Sequence, residues 1–205
     1  MSHPLDLQSQ FGGIDVYLFD QLLRGRVPRG AAVFDAGCGA GRNLVYFLRE
    51  GYDVRGVDAD PVAVDAVRRL ASALAPSIVA ADAFRVEPVE AMSAPGASAD
   101  LVISSAVLHF ARDDAHFDAM LRGSWRMVRP GGLFFCRVAG ITGVDGARPL
   151  GSGRYTLPDG SDRYLADEPR LRAATAALGG ELVDPIKTTV VHGQRAMMTW
   201  VARRR

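Results

Sequence analysis

Two short signals in this chain have residue types and spacing that suit ligand chemistry. The first is Val33-Phe34-Asp35-Ala36-Gly37-Cys38-Gly39-Ala40-Gly41. An apolar run gives way there to glycines that alternate with small residues. Glycine has no Cβ, so such a backbone can pass close against a ligand, and in doubly wound sheets ligands bind where strands end. The second signal is Gly56-Val57-Asp58. A carboxylate at the end of a strand can accept both hydroxyl hydrogens of a ribose, although an acid there also caps helix entries. Dinucleotide binders place a third glycine in G-x-G-x-x-G so that helix and strand can meet. That position is Arg42 here, and the spacing is Asp-x-Gly-x-Gly-x-Gly instead.

These signals need strands and helices to hold them. Apolar residues at helical spacing over 14–23 predict an N-terminal helix, closed by Gly25, Pro28 and Gly30. Residues 31–34 read as a buried strand, 43–50 as a helix ended by Gly51, and 53–57 as a second strand. Asp60-Pro61 is an N-cap with proline in the first turn, opening a helix to about residue 73. Residues 77–80 are the candidate third strand and 101–104 the fourth. Asp113 or Asp114 caps a helix reaching residue 128. A turn at 129–132 leads to a fifth strand at 133–138. Alternating strands and helices predict a parallel sheet covered on both faces. Residues 140–161 are rich in glycine and proline, which suits a loop or inserted hairpin. A helix at 169–178 follows. Extended segments at 182–191 and 196–202, joined near Gly193, read as an antiparallel hairpin at the sheet edge.

Composition narrows the partners. The 205 residues are 48% hydrophobic, enough for one sizeable core, and the length favours a single domain over 1–205. The net charge of +1 argues against a nucleic-acid binder. Arg203, Arg204 and Arg205 form the one dense basic run, read as a solvated chain end. No apolar stretch is long enough for a bilayer, and residues 1–10 lack the basic-then-apolar pattern of a secretory signal. Cys38 and Cys136 each sit in an apolar stretch, and no Cys/His cluster has metal spacing. The expectation is a cytoplasmic protein, a monomer or homodimer, without a metal.

At this point the motifs resemble a known family. The stretch 35–41 resembles the first motif of class I S-adenosylmethionine-dependent methyltransferases, and Asp58 matches their ribose-binding acid. Ala81-Asp82-Ala83 resembles their adenine-contacting motif. Residues 99–104 and 128–132 resemble their fourth-strand motif and the turn before the fifth strand. The resemblance implies a Rossmann-like, doubly wound, seven-stranded and mostly parallel α/β sheet with a reversed final hairpin. Helices cover both faces, with 1–30 as a helical cap and 140–166 as an inserted lid. It implies S-adenosylmethionine as cofactor, S-adenosylhomocysteine as product and a small-molecule acceptor. Cofactor contacts would come from Asp35, Gly37, Cys38, Gly39, Arg42, Asp58, Ala59 and Ser104, with Asp82 and the Ala83 amide at the adenine. Asp82 also suits a loop cap. Tyr17 would reach the cofactor carboxylate or else pack in the core.

Gly41-Arg42-Asn43 and Gly51-Tyr52-Asp53-Val54 look most like the tellurite-resistance branch of small-molecule enzymes. His109 would line the site or act as base, unless it is structural. Arg163, beside Arg154, Tyr155, Asp162 and Tyr164, would meet an anionic acceptor, unless it lies on an exposed hairpin. His192, Gln194 and Arg195 at the final turn are further candidates, whereas His3 and His116 read as solvated and Cys38 as packing. Two other readings stay open: a nicotinamide-dependent oxidoreductase and a non-catalytic S-adenosylmethionine-binding module.

Overall fold

Apolar side chains alternate between two cores along the central strands, and this alternation sets the layers. In β1 (Ala32–Ala36), Val33 faces one core and Phe34 the other. The computed structural model describes residues 6–205 and places α1 (Leu7–Phe11) and α2 (Val16–Leu23) ahead of that strand. His3 and the first half of the 1–10 segment lie outside the described residues. After β1 come α3 (Val45–Arg49), β2 (Asp53–Asp58), α4 (Pro61–Leu74), α5 (Ala80–Ala83) and β3 (Phe84–Val86). Then follow β4 (Ala99–Ser105), a 3-10 turn (Leu108–Phe110), α6 (Asp114–Met127) and β5 (Val128–Gly140). The rest comprises β6 (Arg148–Gly151), β7 (Arg154–Thr156), β8 (Asp162–Tyr164), α7 (Glu168–Ala177), β9 (Gly180–Leu182), β10 (Lys187–Val191) and β11 (Arg195–Arg204).

The main sheet runs β10-β11-β5-β4-β1-β2-β3, with β9 also pairing β11. The pairs from β5 to β3 are parallel, and β11 is antiparallel to β5, β9 and β10. This is the expected sheet with its reversed hairpin; the outermost strand is broken into β9 and β10. Leu18, Phe47, Val64 and Val67 of α2, α3 and α4 cover one face. Phe117, Leu121, Trp125 and Leu171 of α6 and α7 cover the other. Trp200 is fully buried there, and its indole Nε1 donates to Thr175 Oγ1 at 3.0 Å, which satisfies the polar edge of a large apolar ring.

Two expectations change and one is resolved. The third strand forms at β3, not at 77–80. Val79 stays 65% exposed, whereas Phe84 is fully buried, so burial selects the later segment. Arg68 of α4 fixes it by donating to the Phe84 carbonyl at 2.7 and 3.0 Å. The insertion at 140–166 is ordered as an antiparallel sheet, β6-β7-β8. The C-terminal arginines belong to or adjoin β11. Arg203 and Arg204 donate to the carbonyls of Gly131 and Val128 at 2.6 and 2.7 Å, so the chain end is fastened along β5.

Gly123 of α6 lets that helix touch the backbone after β3. A Cβ there would collide with the Val89 carbonyl oxygen and approach the Glu90 Cα at 3.1 Å. Gly123→Ala should cost about 1–3 kcal/mol by overpacking. Urea unfolding checks this, with a lower midpoint at unchanged slope as the expected result.

Candidate cofactor and acceptor site

The loop after β1 turns back onto β2. The Gly37 and Cys38 amides both donate to the Val57 carbonyl at 2.9 Å, and the Gly39 amide donates to Asp58 Oδ2 at 2.8 Å. The other oxygen, Asp58 Oδ1, accepts the Asp60 amide at 3.0 Å. Each carboxylate oxygen therefore carries one fixed bond and keeps a lone pair for a ligand. Gly37 has φ +93°, and a Cβ on it would run into Val107 Cγ2. Gly39 has φ +52° and open space where its Cβ would lie. A bare backbone thus borders a cavity of about 710 Å³, within reach of an anchored carboxylate. These features fit a ribose-bearing cofactor laid over the strand ends.

Of the residues singled out from sequence, Gly37, Cys38, Gly39, Arg42, Asp58 and Ala59 line this cavity. Arg42 donates to Ser105 Oγ at 3.2 Å, which ties the loop to the end of β4. Cys38 packs under Gly56, and burial, aided by the charges of Asp35 and Asp58, pushes its thiol well above the ordinary range. Asp35 lies beneath the loop, buried, with Oδ1 unpartnered. Burial first, and then the Asp58 charge, raise its carboxyl well above the usual carboxylate range, with Arg42 partly offsetting them.

The structure does not bring the others to the cavity wall. Ser104 is buried in β4. Tyr17 donates to or accepts from Thr189 Oγ1 at 2.9 Å, and its ring lies 4.8 Å from the Arg137 guanidinium, which also pairs with Asp15 at 3.2 Å. Asp82 and Ala83 sit in α5 because the third strand forms after them. His192 lies in the exposed turn of the final hairpin. His109 is buried in the 3-10 turn with Nδ1 unpartnered; burial, then the Arg163 charge, push its imidazole down to about 4. Arg163 reaches over the Phe110 ring at 5.1 Å, and Phe110 lines the cavity.

Sequence reasoning missed a second polar wall. His116, read as solvated, has a side chain only 11% exposed and lines the cavity with Glu90. Its Nδ1 accepts the Arg112 amide at 3.1 Å, so Nε2 carries the proton and donates to Glu90 Oε1 at 2.9 Å. Burial alone would raise the Glu90 carboxyl. Hydrogen bonds from His116 and the backbone, with Arg112 nearby, hold it below its ordinary value. The available signal was position: His116 stands in the first turn of α6, whose N-cap Asp113 accepts its amide at 2.7 Å, and that turn follows β4 at the cleft. Ala106, at φ +65° in the cavity wall, was also unforeseen; its amide is fixed on the Arg137 carbonyl at 2.8 Å.

This sheet order, glycine loop and strand-end carboxylate define the class I S-adenosylmethionine-dependent methyltransferase architecture. Residues 34–136 match the methyltransferase domain family, and the chain belongs to it. A ubiquinone biosynthesis O-methyltransferase of Methylocella silvestris is 32% identical over 158 residues, covering 74% of this chain and 59% of that protein. The chain spans 59% to 64% of the length of the curated relatives it matches. Two solved structures share the fold. One is 1,6-didemethyltoxoflavin-N1-methyltransferase of Burkholderia thailandensis, with 1,6-didemethyltoxoflavin and S-adenosylhomocysteine bound. Its TM-score is 0.69 at 23% identity, over 97% of this chain and 81% of that one. The other is magnesium protoporphyrin IX methyltransferase of Synechocystis with S-adenosylmethionine bound. Its TM-score is 0.68 at 16% identity, over 100% and 87%.

The His109 imidazole gives the fold a pH signature. Its proton affinity is lower folded than unfolded, so its contribution is complete above about pH 6.5 and is lost as pH falls through about 4. The loss should approach roughly 3 kcal/mol. His109→Phe should flatten this part of the stability–pH curve, measured by urea unfolding between neutral and acidic pH.

Proposed function

We propose that this chain transfers a methyl group from S-adenosylmethionine to a small-molecule acceptor. The observation that carries the reading is the Asp58 carboxylate, fixed by the Gly39 and Asp60 amides in the wall of the cavity. Asp58 would hold the ribose hydroxyls, with Ala59 beside it. The backbone of Gly37 and Gly39, with Arg42, would border the amino-acid part of the cofactor. When bound, the cofactor supplies a methyl group on a positively charged sulfur. The chain's own task is then to hold donor and acceptor aligned and close, the main requirement for an in-line displacement.

The curated relatives draw the acceptor toward a hydroxyl oxygen, rather than the metalloid that a tellurite-resistance resemblance suggests. Phe110 at the cavity, capped by Arg163 and with Arg112 nearby, supports a flat acceptor carrying negative charge. His109 supports the turn that presents Phe110; its low proton affinity and burial make it a poor base at neutral pH. Both cysteines are free and buried, and among the described residues no helix is long and apolar enough to cross a membrane. The free cysteines fit a reducing compartment.

Calorimetric titration with S-adenosylhomocysteine, beside NAD and NADP, tests the reading. Micromolar binding of S-adenosylhomocysteine is expected, with at least about a hundredfold loss in Asp58→Ala from two forfeited charged hydrogen bonds. Binding of a nicotinamide cofactor in its place would overturn the reading in favour of an oxidoreductase.

A further inference from the structure

Phe110 belongs to the cavity wall and is nevertheless 59% exposed, so its ring stands at the mouth. The segment that carries it leaves β4 through Ser105 and Ala106, which also line the cavity. Arg163 comes from the inserted sheet and lies over this ring, its guanidinium carbon 5.1 Å from the ring centre. Strand alternation aims it there. Its neighbour Tyr164 points the other way, is buried, and donates to Asp114 at 2.6 Å, which anchors β8. Arg112, two residues beyond Phe110, places a second cation in the wall.

The other arginines of this region are neutralised. Arg154 pairs with Asp162 at 3.8 Å, Arg170 with Asp114 and Asp118 at 3.4 and 2.9 Å, and Arg172 with Glu168 at 2.7 Å. Among the described residues neither Arg112 nor Arg163 forms such a pair. The carboxylates whose charge they feel have other partners. Asp159 accepts the Ser161 amide and hydroxyl at 2.9 and 2.6 Å, and Glu90 accepts His116 Nε2 at 2.9 Å. Arg163 spends Nη1 on the Asp162 carbonyl at 2.7 Å, which leaves the rest of its fork to donate. Its charge reaches inward. After burial, it is the second cause of the low proton affinity of His109, whose ring meets Phe110 edge-on at 4.6 Å. A planar fork without a counter-charge, set beside an aromatic ring, suits a carboxylate on a flat ligand.

We propose that the methyl acceptor is an aromatic acid, with its ring on Phe110, its carboxylate held at the mouth by Arg163, and Arg112 as the second cation. This rests on the methyl-transfer reading above. The test measures a ratio. The probes are the ortho, meta and para hydroxybenzoates, each beside the matching hydroxybenzamide, which has nearly the same shape and no charge. They are titrated calorimetrically into protein saturated with S-adenosylhomocysteine. The proteins are the wild type, Arg163→Gln, Arg163→Lys, Arg112→Gln and Arg148→Gln, the last at an exposed lid arginine outside the cavity wall. In the wild type at least one acid should bind about tenfold or more tightly than its amide, the scale of one hydrogen bond to a charged group. Arg163→Gln should bring that preference toward unity. Arg163→Lys, which keeps the charge and loses the fork, should restore part of it. Arg112→Gln should lower it several-fold, and Arg148→Gln should leave it unchanged. A purely structural loss would weaken acid and amide alike and leave the ratio as it was.

Equal binding of acid and amide in every pair, no binding of any acid, or a preference that survives Arg163→Gln would overturn the assignment while leaving the cofactor reading intact. Failure of wild-type protein to bind S-adenosylhomocysteine at all would overturn both.

Discussion

The site depends on a clasp between two adjacent parallel strands. Three successive amides at the end of β1 turn onto the end of β2: two onto the Val57 carbonyl and one onto the Asp58 carboxylate. Only a backbone nearly free of side chains can make that turn. Gly37 sits against Val107, and a Cβ on Gly56 would come within 2.9 Å of the Asp35 carbonyl oxygen. The clasp leaves a fixed carboxylate in the cavity wall. It also buries Asp35 under the loop, where burial first, and then the neighbouring Asp58 charge, make its ionisation unfavourable.

Much of this was legible because the physics is local. A glycine run after an apolar strand, an acid at the next strand end and Asp60-Pro61 opening a helix are all encoded within a few residues, and the structure places each as read. The reversed edge was legible for the same reason, since its two extended segments meet at a glycine turn near Gly193. What was not legible depends on distant partners. Ile78 and Val79 have the residue types of a strand, but the sheet edge is closed by Phe84, whose burial and Arg68 contacts come from elsewhere in the fold. His116 has the sequence context of a solvated helix residue. It becomes a cavity residue only because Glu90, 26 positions earlier, is brought against it. Tyr17 is bonded to Thr189 across 172 positions, a contact no local pattern contains.

The insertion between β5 and α7 shows how an added element can shape a site without building it. Its strand β8 ends in Tyr164, which is buried, stacks on Phe117 at 4.5 Å and donates to Asp114 at 2.6 Å. Arg170 lies over both rings and pairs with Asp114 and Asp118. The inserted sheet is therefore riveted to the start of α6, the same turn that carries His116. From that anchor Arg163 reaches Phe110 at the cavity. The segment is glycine-rich because its turns require it, while its attachment is aromatic and ionic.

The distribution of rigidity favours positioning over acid–base chemistry. The fixed groups around the cavity are hydrogen-bond acceptors and bare backbone: Asp58 clasped by two amides, Glu90 held by a histidine, and Ala106 kept at a positive φ by the Arg137 carbonyl. The imidazoles do not offer a free base. His109 is buried with its proton affinity depressed, and both ring nitrogens of His116 are engaged with the chain. A methyl donor that carries its own positive charge asks little of a catalyst beyond alignment and exclusion of competing nucleophiles. Fixed acceptors in the cavity wall, with His109 buried at low proton affinity and His116 tied to backbone and carboxylate, suit that demand. In the proposed reading, acceptor choice would then fall to Phe110 in the cavity wall and to Arg163, which lies over its ring.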